Sequence, residues 1–321
     1  MGKAAFAAAL ALAACGSEEP TQGSEKQAIA NDVVPIGGPG RPQTLAEATQ
    51  GQSQVAMWKV GDEDTTVYLV GTVHLMQPGV RWQTPQIMAA FDIADAVYLE
   101  ADVLSREAQR AMGVVVKQTA PNPDSFKLST YYDATQKTRI NAVLEGISMN
   151  LGQLDEYRPW FAAMQVSVLA MIEAGGDPAY GAEIVISREM IEQGTELRYL
   201  ETAAQQIGIL AQGDDTRDAA HFLDLLDTLE EGEAYFSDLM AAWYQGDEER
   251  MEFLVNGAMK SYPQMRQRLL TDRNLDWSQQ LDRLMTDEPG TFVVAVGAGH
   301  LVGEHSVQSK LSDRGYDSER L

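Results

Sequence analysis

The chain has 321 residues, 45% of them hydrophobic, with 27 Gly and 12 Pro, so it can bury a core and is neither collagen-like nor low-complexity. Lys and Arg number 24 against 47 Asp and Glu, a formal charge of -23; a surface this acidic repels phosphate backbones and excludes nucleic acid as a partner. One cysteine forbids an internal disulfide and any cysteine-cluster metal site, which leaves oxygen and nitrogen groups to carry the chemistry.

That cysteine, Cys15, follows Lys3 and the apolar run from Ala4 to Ala14. A basic residue, a short apolar stretch and small residues predict a secretory signal over 1–14, too short to span a bilayer. Leu12-Ala13-Ala14-Cys15 resembles the bacterial lipobox, which implies an acylated Cys15, membrane attachment through that lipid and a place in the cell envelope. Gly16 offers no aspartate-type retention signal, so the expectation is the outer membrane, facing the periplasm. Residues 15–54 are rich in Gly, Pro, Ser, Gln, Glu and Thr and predict a flexible tether ahead of a domain over 55–321.

Val55–Val60 and Thr65–Val70 flank a Gly-Asp-Glu-Asp turn and predict a hairpin. Helical spacing over 86–93 and a strand Ala96–Leu99 follow, a strand-helix-strand order that favours a parallel neighbouring pair. Helices are expected at 105–118, 130–146, 151–174 and 181–193, then a strand over 197–200. The acidic stretch 202–287 reads as helical throughout, broken at Gly213, Gly232, Gly246 and near Pro263. Thr291–Val296 predicts a buried strand, followed by a helix over 304–313 and a strand over 316–321. The fold class is α/β: a mixed, largely parallel sheet flanked by helices, with a large helical insertion, about 202–287, over the strands' carboxyl edge.

The two ends of the domain echo each other. Val67-Tyr68-Leu69-Val70 runs into Gly71-Thr72-Val73-His74, and Val293-Val294-Ala295-Val296 runs into Gly297-Ala298-Gly299-His300. Chance gives about 0.3 Gly-x-x-His matches in such a chain; two, each after an apolar strand, mark a feature. Each glycine is expected to turn the chain sharply, with its histidine just past a strand's carboxyl end, where open α/β sheets hold ligands. Glu100 ends the next strand and is expected beside His74. Glu201 ends another, and reads either as a member of the same edge or as the N-cap of the following helix. Two imidazoles and a carboxylate suit a divalent cation with an open position for water, and suit metal-free acid–base chemistry equally. Asp102, His221 and His305 read as surface or cap residues. No phosphate-cradling glycine loop and no serine elbow occur.

These motifs, together with Tyr157-Arg158-Pro159-Trp160, Tyr199-Leu200-Glu201-Thr202-Ala203-Ala204-Gln205-Gln206, Arg273-Asn274-Leu275-Asp276-Trp277 and the closing Val296–Gly303, resemble the TraB/PrgY/GumN family, to which the Tiki metalloproteases are distantly similar. Gly299 departs from the apolar residue common there. The resemblance covers about 55–321 and implies a metal-dependent hydrolase, most simply a peptidase, using Mn, Co or Zn. It implies His74, His300 and Glu100 at the metal, with Glu100 alternatively the general base, and Arg273 or Arg158 as a basic partner for an oxyanion or a substrate carboxylate. A non-catalytic lipoprotein that captures a peptide or small ligand in the same cleft, and a metal-free hydrolase, stand as the alternatives.

Overall fold

Six strands form one sheet in the computed structural model of the chain, which describes residues 44–123 and 126–321. They are β1 (Met57–Gly61), β2 (Thr65–Thr72), β3 (Ala96–Leu99), β4 (Glu196–Tyr199), β5 (Gly290–Gly297) and β6 (Glu319–Arg320), in the spatial order β4-β3-β5-β2-β1-β6. β4, β3, β5 and β2 run parallel, while β1 is antiparallel to both β2 and β6. The hairpin and the mixed, largely parallel sheet are as the sequence predicts.

One neighbour relation differs. β2 and β3 are parallel but not adjacent, because β5 lies between them and pairs with both. The reason is compositional. Phe292 to Val296 are all apolar and no more than 2% exposed, and a strand without a polar face belongs where both faces are covered. Alternate residues supply two cores: Phe292, Val294 and Val296 face the cluster built with Trp58, Leu69, Trp277 and Leu281, whereas Val293 and Ala295 face the larger cluster on the other side.

Helix boundaries shift where capping chemistry intervenes. The span expected at 151–174 divides into Leu151–Leu154 and Pro159–Glu173, since Pro159 holds Arg158 extended, with ψ at 152°. The span expected at 130–146 becomes a 3-10 turn, Leu128–Tyr131, and a helix, Ala134–Glu145, started by the Asp133–Gln136 capping box. The helix expected over 304–313 is Val307–Ser312, capped by Ser306, and the final strand pairs only over Glu319–Arg320.

The insertion is helical but serves three places. Asp215–Tyr244, kinked at Gly232 (φ 41°), packs in the larger core against Pro159–Glu173. Val255 and Asn256 meet Gly299 and Val302 just past β5, Arg273 reaches the same edge, and Asp272–Asp287 covers the opposite face. Cys15, the expected signal over 1–14 and the tether as far as residue 43 lie outside the described residues. The tether's expected end at residue 54 is too late. Thr44 and Glu47 form a capping box on the helix Leu45–Ala48, Leu45 is 2% exposed, and the Gln54 N–H donates to the Tyr244 carbonyl at 2.8 Å. Apolar residues at i and i+3 give this turn a face to bury. Among the described residues no helix is long and apolar enough to cross a membrane.

Candidate functional site

The paired turns lie side by side. In the β2–β5 register Gly71 opposes Val296 and Thr72 opposes Gly297, so the two motifs are offset by one residue. The glycines act through close approach, which corrects the expectation of sharp turns: neither has a positive φ. A Cβ on Gly71 would lie 3.3 Å from the Ala298 Cβ, and one on Gly297 would lie 3.1 Å from Glu100 Oε1. At Gly299 the Val255 side chain fills the room that an apolar residue would take, 2.7 Å from where a Cβ would stand.

Glu100 is 4% exposed and fully engaged. Its Oε1 accepts the Gly297 N–H at 2.7 Å; its Oε2 accepts Gln206 Nε2 at 2.8 Å and Arg273 Nη2 at 2.6 Å. Burial alone would raise its pKa, but the adjacent Arg273 guanidinium and the Gly297 N–H outweigh it and hold the carboxyl at about 2. Glu201 joins from the end of β4 and binds Arg273 Nε at 3.2 Å and Nη2 at 2.5 Å. The N-cap of the following helix is Thr202, not Glu201. Burial raises the Glu201 carboxyl, with Arg273 opposing.

Arg273 uses every donor it has. Besides those three bonds, Nη1 donates to the Leu269 carbonyl at 3.1 Å and meets His300 Nε2 at 2.9 Å, which accounts for the five N–H groups of a guanidinium. Its Cζ also sits 4.6 Å from the Trp277 ring centroid. In this arrangement no donor is left for an oxyanion or a substrate carboxylate. Arg158, the other basic residue the resemblance implies, stands elsewhere: it pairs with Asp215 at 2.8 Å and donates to the carbonyls of Thr119, Ala211 and Gly213. Its role is to tie helix ends together.

Chemistry assigns the His300 tautomer. Asn274 Nδ2 donates to the carbonyls of His300 (3.3 Å) and His305 (2.7 Å), so Oδ1 faces His300 Nδ1, at 2.5 Å. Nδ1 therefore carries the proton and Nε2 accepts from Arg273. Burial and the neighbouring guanidinium push this imidazole down to about 3, so it stays neutral. His305 pairs at the surface with Glu304 at 3.2 Å, as the sequence suggests.

His74 has a different partner. Its Nδ1 lies 3.0 Å from Glu183 Oε1, which also accepts a short bond from the Thr72 hydroxyl. Burial disfavours the imidazolium, but the charges of Glu183 and Glu100 outweigh it and raise His74 above its ordinary value. Glu183 is buried at the start of the helix Ala182–Gln193. With Nδ1 on Glu183, Nε2 has no hydrogen-bond partner among the described residues, and the His74 side chain is 18% exposed.

The family model matches residues 56–320, a span that contains both abutting Gly-x-x-His turns. The chain belongs to the TraB/PrgY/gumN family. It is similar to the uncharacterized protein YbaP of Escherichia coli (strain K12), 24% identical over 245 residues, covering 76% of this chain and 87% of YbaP. YbaP of Shigella flexneri matches to the same extent. No solved structure matches the chain.

The cation that family resemblance implies does not fit this arrangement. His300 Nε2 and both Glu100 oxygens already face donors, and a guanidinium stands between Glu100, Glu201 and His300. A divalent ion there would be repelled by that charge and would find His300 Nε2 and three of the roughly four Glu100 acceptor sites taken. Among the described residues no group of three or more His, Cys, Asp or Glu is placed to hold a metal. Sequence reading missed Glu183, Gln206 and Asn274. Asn274 sat inside the Arg273–Trp277 motif; Glu183 carried no local signal beyond its place in a helix's first turn.

Proposed function

We propose that the protein is a hydrolase of peptide or similar amide bonds, with His74 as its acid–base group and Glu183 as the residue that orients it. One observation carries the reading: His74 combines a ring nitrogen, Nε2, with no partner among the described residues, a buried carboxylate on Nδ1 at 3.0 Å and a proton affinity raised above the ordinary imidazole value by that carboxylate. In the step this supports, neutral His74 takes a proton from water at Nε2 as the water oxygen bonds to the substrate carbonyl carbon. The imidazolium, held by Glu183, then returns that proton to the leaving nitrogen as the C–N bond breaks. Arg273 keeps Glu100, Glu201 and His300 in place beside this group, a positioning role. Loading with Mn, Co or Zn, in contrast, requires Arg273 to withdraw from His300 and Glu100.

The test incubates the purified chain with a peptide library and reads products by mass spectrometry. Cleavage is expected, lowered about 10²–10⁴-fold by His74→Ala and less by Glu183→Gln, and retained after exhaustive chelation. Cleavage that appears only on adding Mn, Co or Zn, with the ion bound stoichiometrically, replaces the metal-free step with the cation-dependent one. Peptides retained at unchanged mass make the protein a sequestering one.

A further inference from the structure

His221, expected at the surface, is instead 2% exposed, with Tyr262 edge-on to its ring at 4.6 Å between centroids. The helix Pro159–Glu173 departs from expectation in the opposite sense. Between Trp160 and Ile172 it carries no charged residue, the composition of a helix covered on all sides. Ala162, Ala163, Val166 and Met171 are indeed buried in the larger core. On its other side Phe161, Met164 and Val168 are only half-buried, and Leu169 is 37% exposed.

That uncovered side is one wall of a groove of about 460 Å³, a size typical of small-ligand sites. The helix Arg106–Thr119 forms the other wall through Gln109, Met112, Gly113 and Val116. Gln109 and Gln165 are the polar lining residues, and none is charged. Gly113 keeps the groove open: a Cβ there would meet nothing within 4 Å, and a glycine inside a helix is a stability cost that packing does not explain. Charge stands along the rim. At about 100° per residue, Arg106, Arg110 and Lys117 fall on one strip within about 60° of Gly113, on the side away from the buried Met112. This helix thus has three bases to one acid, Glu107, in a chain of 24 bases and 47 acids. Among the described residues none of the three bases is in an ion pair.

We propose that this groove binds a single-chain anionic lipid, chemically a long-chain fatty acid. Its acyl chain lies on Met112, Val116, Phe161, Met164 and Val168, and its carboxylate sits at the rim beside Arg106, Arg110 and Lys117. A small polar anion would leave the apolar walls wet, and a neutral hydrocarbon would leave the cations unanswered; a charged head on an apolar chain answers both. A bilayer surface fits less well, because these apolar side chains line a recess between two helices and do not form a projecting face. The groove shares no residue with the sheet-edge site, so the proposal is independent of hydrolysis at His74.

Calorimetric titration of the whole chain tests this with monomeric dodecanoate, decanoate, the neutral ester 1-dodecanoylglycerol and the cation dodecyltrimethylammonium. Dodecanoate should bind once per chain, decanoate about tenfold more weakly for its two missing methylenes, the neutral ester about tenfold more weakly and the cation more weakly still. Gly113→Leu fills the groove from a position with open space around it. It should abolish dodecanoate binding while leaving the urea midpoint no lower, since leucine is the better helix former. Replacing Arg106, Arg110 and Lys117 together by Gln should remove the preference for dodecanoate over the neutral ester. Absence of saturable binding overturns the proposal, as does equal affinity of the natural protein for the neutral ester, or undiminished binding in Gly113→Leu. Binding to phosphatidylglycerol vesicles without binding to monomeric dodecanoate also overturns it and makes the face a membrane contact. Should Gly113→Leu fail to fold, the ligand series on the unaltered protein decides the matter.

Discussion

Replacing Arg273 by methionine keeps the length of the stem and removes the charge that holds Glu100, Glu201 and His300 together. Glu100 and Glu201 would be left as unpaired carboxylates in the interior, and breaking a buried pair costs about 3–5 kcal/mol. Linkage gives an independent figure. The Glu100 carboxyl is held at about 2 against an ordinary 4.5, a shift equivalent to about 3 kcal/mol. Because the folded value is depressed, that stability is present above about pH 4.5 and is lost as the pH falls through about 2. In Arg273→Met the sign inverts. Both carboxyls rise, folding takes up protons, and the deficit relative to the natural protein shrinks as the pH falls from about 7 to about 4. Urea unfolding followed by tryptophan fluorescence is a suitable assay, since Trp277 lies against both Arg273 and His300. A deficit under about 1 kcal/mol at pH 7, or one that stays constant down to pH 4, would refute the reasoning.

Four further outcomes are expected. Glu183→Gln should move the His74 titration to lower pH, since Glu183 is the main group raising it; the His74 ring resonances in NMR report this directly. Gly181→Ala places a Cβ 2.1 Å from the His74 carbonyl oxygen, so it should displace His74 from Glu183 and reduce both stability and turnover. Deleting residues 44–54 should cost about 2 kcal/mol, chiefly the burial of Leu45, in a denaturation curve, whereas deleting only as far as residue 43 should cost nothing measurable there. Cys15→Ser should abolish incorporation of labelled fatty acid in cells, and unchanged labelling would dismiss the lipobox reading.

Strand positions, the hairpin and the pairing of the two Gly-x-x-His turns were legible because each depends on a local run of residues: β-branched stretches, a Gly-Asp-Glu-Asp turn, a glycine three residues before a histidine. The order of the strands was not, since β5 enters between β2 and β3 from 191 residues beyond the end of β3 along the chain, and nothing local to Ala96–Leu99 announces it. The same limit governs the site. His74, Glu100, Glu201, Arg273 and His300 are findable as strand ends or motif members. Choosing Arg273 over Arg158, and pairing His74 with Glu183, depends on which helix termini reach the sheet edge. The late boundary assigned to the tether had a local remedy, because Thr44-Leu45-Ala46-Glu47 is a capping-box sequence.

The central position of β5 has a consequence for the order in which this protein can be made. Thr65 pairs with Gly290, and Ala96 with Phe292, so a nascent chain carries β2 and β3 with their inner edges bare until nearly all of it has been synthesised. Val67, Leu69, Val97 and Leu99 in those waiting strands are fully or almost fully buried in the finished domain. Such contacts make for slow folding and leave adhesive edges exposed in the meantime. A chain that stops short of residue 290 lacks the middle of its sheet and His300 together. Folding and assembly of the site are thus one late event, and a truncated product is expected to aggregate rather than persist as a partly active fragment.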